Sequence, residues 1–151
     1  MVGQIYHVGL TVSDLAESLH FYRDILGLSY IGSLTMTGPE TDRLFGRPGC
    51  RAEVAYLAGK DALSSPPVEL ISFPGQDVRP KKADLFSVSV SEVCFRTSDL
   101  WGEYERLKKQ GVEFLSEPQP FDFTADGFGK SLAVYLRDPD GIILELMQPL
   151  P

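Results

Sequence analysis

Apolar and polar residues alternate in short stretches along this chain, and the period of the alternation changes twice in the same order. In IYHVGLTV (5–12), Val8, Leu10 and Val12 fall on one face and His7, Gly9 and Thr11 on the other. That pattern predicts a half-buried strand. Ser13 or Asp14 then caps a helix. Within it Leu15, Leu19, Tyr22 and Leu26 recur at helical spacing, and Gly27 stops it. LSYIGSLTM (28–36) predicts a second strand, and GPETDRLFGRPG (38–49) is an insert bounded by Pro and Gly, with room for a short helix. RAEVAYLAG (51–59) and PVELISF (67–73) complete a strand pair, so the first half reads β-α-β-β-β.

GQDVRPKKADLFS (75–87) is polar and carries Arg79-Pro80-Lys81-Lys82, which marks it as a linker. After it the pattern returns. SVSEVCFRT (89–97) predicts a strand and 98–110 a helix ending at Gly111. GVEFL (111–115), KSLAVYLRD (130–138) and GIILELMQ (141–148) predict three more strands. Asp138-Pro139-Asp140-Gly141 predicts a tight hairpin, because Pro presets φ and Gly accepts φ > 0. One phrase appears twice: YHVGLTVSDL (6–15) and SEVCFRTSDL (91–100) stand in register at an offset of 85, which aligns Ser13 with Ser98 and His7 with Glu92. An internal repeat of this length predicts two copies of one supersecondary unit. The expected class is α+β, one domain over 1–151 with module one at about 4–74, a linker at about 75–87 and module two at about 88–149.

Alternation also decides which residues share a surface. Val8, Leu10, Val12, Val93 and Phe95 fall on the face that packs on the helices, and His7 and Glu92 on the other. In the last strand of each half, Val68 and Leu70 oppose Glu69, and Leu144 and Leu146 oppose Glu145. Each half therefore offers two ionisable residues on its first and last strands. A single Glu in a strand ordinarily sits on a solvated face, and a single His is ordinarily a hydrogen-bonded structural residue. Four at matching positions of a repeat point further. Three carboxylates together repel, and burying them unpaired costs several kcal/mol each. An open, hydrated face, a bound cation, or Arg96 or Arg51 answers that repulsion.

Composition narrows the function classes. The 151 residues are 43% hydrophobic with net charge −7, and the cations are scattered, which argues against a nucleic-acid surface. No run approaches the roughly 18 apolar residues of a membrane span, and the N-terminus lacks a basic region leading into an apolar stretch. Cys50 and Cys94 lack metal-motif spacing and are too few for a disulfide scaffold. A soluble cytoplasmic protein is expected.

The stretches HVGLTVSDLAESLHFYRDILGL, VELISF, EVCFRTSDL and YLRDPDGIILEL resemble the vicinal oxygen chelate superfamily. Its members include glyoxalase I, methylmalonyl-CoA epimerase, extradiol dioxygenases and the bleomycin and fosfomycin resistance proteins. The resemblance covers nearly the whole chain. It implies two tandem β-α-β-β-β modules forming a cupped, barrel-like mixed sheet with helices outside and a metal within, and it implies a homodimer. Carried over by position, the metal ligands are His7, Glu69, Glu92 and Glu145. Many of the metalloenzymes have His where this chain has Glu92. The extra carboxylate shifts preference toward Mn, Mg or Fe(II), with Zn, Ni and Co still open.

A 2-His-1-carboxylate iron centre needs two histidines. This chain has only His7 and His20, and His20 falls in the first helix, which argues against a ring-cleaving dioxygenase. The expected activity is that of a divalent-metal-dependent lyase or isomerase of the glyoxalase and epimerase type. It would move a proton through an enediolate on a small oxygen-rich substrate, with Glu145 and Glu69 as candidate catalytic bases. The alternative is a metal-free ligand-binding or antibiotic-sequestering module.

Lesser features remain open. The 38–49 insert either folds over the mouth of the cup or simply connects. PFDFTADGFGK (120–130) is either a flap with an aromatic wall of Phe121, Phe123 and Phe128 or core filling. Trp101 reads as packing and Cys94 as a small buried residue. Tyr135 and Met147 are candidate cup-lining residues whose facing the sequence does not fix.

Overall fold

The structure, a computed structural model, describes residues 3, 5–59, 67–79 and 81–151. Two compact units divide the chain, Met1–Pro80 and Lys81–Pro151. The boundary falls inside the 75–87 stretch, of which Pro80 lies outside the described residues, as does Gln4 at the start of module one.

In the first unit the elements run β1 (Val8–Thr11), α1 (Leu15–Leu19), β2 (Ser29–Met36), α2 (Pro39–Phe45), β3 (Ala52–Ala58) and β4 (Val68–Ser72). They build a four-stranded sheet in the order β1-β4-β3-β2. β1 runs parallel to β4, and the other pairings are antiparallel. The second unit repeats the plan with β5 (Val93–Arg96), α3 (Leu100–Lys109), β6 (Gln119–Phe123), β7 (Gly129–Arg137) and β8 (Ile143–Leu150), ordered β5-β8-β7-β6. The chain therefore has the expected α+β class, with the β-α-β-β-β unit present twice and the short helix α2 added to the first copy.

The duplicated Ser-Asp-Leu starts both helices in the same way. Asp14 caps α1 by accepting a hydrogen bond from the Glu17 backbone N–H at 3.0 Å, and Asp99 caps α3 by accepting one from Gly102 N–H at 3.0 Å. Asp, not the preceding Ser, supplies the cap, satisfying a backbone donor that the first helical turn leaves free. After α1 the backbone continues as a π-helical stretch, His20–Ile25. Its wider turn changes the buried stripe from the one the α-helical spacing predicts. Ser18, Phe21 and Tyr22 are buried, and the last two meet edge to face at 5.3 Å. These residues cover the sheet face that carries Leu10, Val12, Leu57, Val68 and Leu70. In the second unit Leu100, Tyr104 and Leu107, at i, i+4 and i+7, are the buried stripe of α3. They accompany the buried Val134, Leu136, Leu144 and Leu146 of the sheet.

The strand expected at 111–115 is reduced to one bridge, Phe114 with Leu136. The segment is too short to form a ladder after the turn that follows α3, and Pro118 lies just beyond it. The outer strand is instead β6, most of which lies in the 120–130 segment left open between a flap and core filling. Pro120 disguised it, yet the position is tolerant of proline: β6 is an edge strand, where a missing N–H need not leave a ladder partner unpaired. The strand expected from residue 89 begins only at Val93.

The predicted hairpin at 138–141 is present. Asp138 is 5% exposed and accepts from the Asp140 and Ile142 backbone N–H groups at 3.0 and 2.7 Å. Gly141 takes φ 83°, which an L side chain would strain. Truncating Asp138 to Ala orphans two half-buried backbone donors. The expected loss is about 2 kcal/mol in urea unfolding, with an unchanged m-value.

Candidate metal centre and its surroundings

Within the first unit, β1 and β4 lie side by side with Gly9 opposite Glu69. β3 adds Tyr56 opposite Glu69 on the other flank. Directly opposed residues share a face, so His7, Gly9, Glu69 and Tyr56 occupy one surface, as the alternation predicts for the first three. His7 Nε2 lies 3.3 Å from Glu69 Oε2, with the Glu69 side chain only 14% exposed. The Tyr56 hydroxyl donates to Glu69 Oε1 at 2.9 Å. That bond, then burial, then the Glu69 charge raise the Tyr56 phenol above its ordinary value. Gly9 leaves room for the carboxylate: a Cβ at residue 9 would lie 3.1 Å from Glu69 Oε2.

The same face continues into an apolar cluster of Ala52, Val54 and Ile71, with Met36, Phe45, Tyr56 and Phe73 packed against it. Phe45 belongs to α2 and meets Phe73 edge to face at 5.1 Å. The 38–49 insert is therefore packed over part of the Glu69 face and is not a free connection. A cavity of about 390 Å³ also opens in this unit, beside the start of α1 and lined by Asp14, Glu53, Ser72 and Gln76 among others. Neither His7 nor Glu69 lines it.

The second unit repeats the register with different side chains. Cys94 stands opposite Glu145, and Tyr135 opposite Glu145 on the other flank. Cys94 thus takes the position of Gly9, and Tyr135 that of Tyr56. Contrary to expectation, Cys94 is exposed and Cys50 is the buried thiol. Period-2 alternation put Cys94 on the Glu92 face, and that face is not the one the helix covers. Burial on its protein side is the largest of the effects that push the Cys94 thiol up to about 12, followed by its hydrogen bond to Glu145 and the Glu145 and Glu92 charges. Tyr135 is likewise raised, by burial first and then by the charges of Glu145 and Glu92. Those shared effects place Glu92, Cys94, Tyr135 and Glu145 within electrostatic reach of one another.

A raised thiol value means little thiolate at neutral pH, so alkylation of Cys94 should be slow. In the ion-free protein, Glu145→Gln removes one of the charges that raise it. The thiolate fraction, and with it the rate of iodoacetamide labelling at pH 8, is expected to rise about tenfold for each unit by which the value falls. An unchanged labelling rate would separate Cys94 from Glu145.

Following the register outward, Ala133 lies opposite Met147, and Ser131 opposite both Pro149 and Phe121. Tyr135, Met147, Phe121 and Phe123 therefore all share the Glu145 face, which answers the question of facing. Phe121 and Phe123 stack at 5.7 Å with an interplanar angle of 12° and remain partly exposed. They form a wall, not core. Trp101 packs edge to face on Tyr104 at 5.9 Å and is 46% exposed.

The competing cations do not answer the carboxylates. Arg51 pairs with Glu53, and among the described residues Arg96 makes no ion pair with Glu92 or Glu145. His20 is committed elsewhere: its Nδ1 lies 2.8 Å from Asp24 on the exposed side of the first helix. Hydrogen bonds from Arg23 and then His20 hold the Asp24 carboxyl well below the usual range. Among the described residues no three His, Cys, Asp or Glu side chains form a group able to hold an ion by themselves. The four candidate residues fall as His7 beside Glu69 in one unit and Glu92 and Glu145 near Cys94 in the other.

Tyr56 was missed in the sequence because AYLA reads as continuous apolar strand. A signal was present: Tyr-Leu recurs as Tyr56-Leu57 and Tyr135-Leu136, at corresponding strands of the repeat.

Comparison with known proteins agrees with this architecture. A probable lactoylglutathione lyase of Synechocystis is 26% identical over 95% of this chain and 94% of its own length. A lactoylglutathione lyase of Haemophilus influenzae is 23% identical over 96% and 92%. The crystal structure of a glyoxalase family protein from Bacillus cereus shares the fold with a TM-score of 0.84 at 22% identity, covering 100% of this chain and 97% of that one. The model of the Glyoxalase/Bleomycin resistance protein/Dioxygenase superfamily matches residues 4–146, and the chain belongs to that superfamily.

Proposed function

We propose that this protein is a divalent-metal-dependent lyase or isomerase, moving a proton next to a carbonyl on a small oxygen-rich substrate. The observation that carries this reading is the duplicated carboxylate. Glu69 and Glu145 occupy matching positions on β4 and β8, each flanked by a tyrosine across the sheet and each on the face its helix does not cover. The relatives named lactoylglutathione lyase support the same class of chemistry.

The donor chemistry fits a divalent ion: one imidazole and three carboxylates, with no Lys or Arg paired to Glu69, Glu92 or Glu145 among the described residues. In this reading the ion donors are His7 and Glu69 in the first unit and Glu92 and Glu145 in the second, and the ion is Mn, Fe, Zn, Ni, Co or Mg. Such an ion, when bound, supplies a Lewis acid that draws charge from a carbonyl oxygen. The remaining work belongs to side chains. Glu145 takes the proton from the carbon beside the carbonyl and returns it to the neighbouring carbon or to the opposite side of the same one. Glu69 is held by Tyr56 and His7 and is the less mobile of the two bases. The Phe121–Phe123 stack forms an apolar wall on the face that holds Glu145. A homodimer and a cytoplasmic setting belong to the same reading and rest on the family likeness. No helix among the described residues is long and apolar enough to cross a membrane.

The test is solvent exchange. Ion-free protein is reloaded with each of the six metals and incubated in D₂O with a 2-hydroxyketone, a thiohemiacetal and an acyl thioester. Ion-dependent deuterium entry at the carbon beside the carbonyl supports the reading. Tight binding of such molecules with no exchange under any metal would turn the protein into a binding module.

A further inference from the structure

The two repeated carboxylates are not held alike. Both oxygens of Glu69 are engaged. Oε1 accepts from the Tyr56 hydroxyl at 2.9 Å, and Oε2 lies 3.3 Å from His7 Nε2. Oε2 also sits over Gly9, 3.1 Å from where a Cβ would be. Tyr56 is itself fixed: its ring packs on the Ala52, Val54 and Ile71 cluster and stands edge to face with His7 at 6.1 Å. In the second unit Tyr135 has the same register to Glu145, but among the described residues its hydroxyl makes no hydrogen bond to that carboxylate. The group beside Glu145 is the Cys94 thiol, whose pKa burial and then that carboxylate raise.

We infer that Tyr56 is a positioning residue: its hydroxyl locks the Glu69 carboxylate with one oxygen turned toward His7, while Gly9 provides the space that this orientation needs. The inference rests on the reading of His7 and Glu69 as ion donors for its consequence, but not for its geometry. A carboxylate on a three-torsion side chain has many orientations, and one short bond from a rigid phenol removes most of them. Outer partners of this kind, when lost, typically cost 10–100-fold in metal affinity.

The experiment compares Tyr56→Phe with Tyr135→Phe, which deletes the equivalent hydroxyl where it makes no such bond. Two quantities are read: the Mn(II) dissociation constant by electron paramagnetic resonance, and the ¹⁵N resonances of His7 in the ion-free protein. Tyr56→Phe is expected to weaken Mn(II) by at least about tenfold and to move the His7 nitrogen resonances, with Tyr135→Phe doing neither. Gly9→Ala approaches the same carboxylate from its other side and needs no left-handed backbone. It is expected to move the same resonances. If the His7 resonances stay in place in both Tyr56→Phe and Gly9→Ala, the inference is overturned. If the unmodified protein binds no Mn(II), the proposed function is lost, and the His7 resonances alone still decide the role of Tyr56.

Discussion

Glu145→Gln, assayed at saturating ion, is expected to slow proton exchange by about 10³-fold, the middle of the range for loss of a positioned general base. The substitution is nearly isosteric. Glu145 is half-buried in β8 between Cys94 and Tyr135, and glutamine keeps the size of the side chain and one of its oxygens. The fold should therefore survive, with the melting temperature close to that of the unmodified protein. What the amide cannot do is take a proton and return it. Substrate affinity should change much less than turnover, because the carboxylate acts as the proton moves and not as the substrate binds. An equal loss in the Glu69→Gln protein would make the two carboxylates equivalent, contrary to the tighter hold that Tyr56 and His7 place on Glu69.

Removal of the imidazole gives the second large effect. His7→Ala is expected to weaken divalent-ion binding by more than about 100-fold, beyond the range seen for outer partners. His7 is the one nitrogen donor in the proposed set. It immediately precedes β1, so its backbone carries no internal ladder position of that strand. Its side chain is 37% exposed, and little packing is lost with it. Titration calorimetry of ion-free protein with Mn(II) and Zn(II) checks this. The loss should be steeper for Zn(II), which favours the imidazole, than for Mn(II), which is satisfied by carboxylates.

Much of this face was legible in the chain because a strand has a strict period of two. Glu69 between Val68 and Leu70, and Glu145 between Leu144 and Leu146, had to point away from the helices. The offset of 85 brought His7 and Glu92 to matching places without any coordinates. Three features escaped for identifiable reasons. The π-helical stretch at His20–Ile25 escaped because Leu15, Leu19, Tyr22 and Leu26 also satisfy the α-helical period, while the structure buries Phe21 together with Tyr22. β6 escaped because Pro120 and the nearby glycines outweigh the alternation of Gln119, Phe121 and Phe123. Cys94 was misjudged because small sulfur side chains are usually buried, whereas here the residue holds the exposed position that Gly9 holds in the first unit. The Tyr56–Glu69 bond spans β3 and β4, and pairing across strands is tertiary information that one apolar run does not contain.

The most direct test of the central claim is the metal content of the native protein, measured by elemental analysis beside Glu92→Ala and Glu145→Gln. The account predicts about one tightly held divalent ion per site, lost or sharply weakened in both variants, with Glu92 serving as a working donor. An ion-free native protein that takes up none of the six metals, with both variants folded and unchanged, would contradict it.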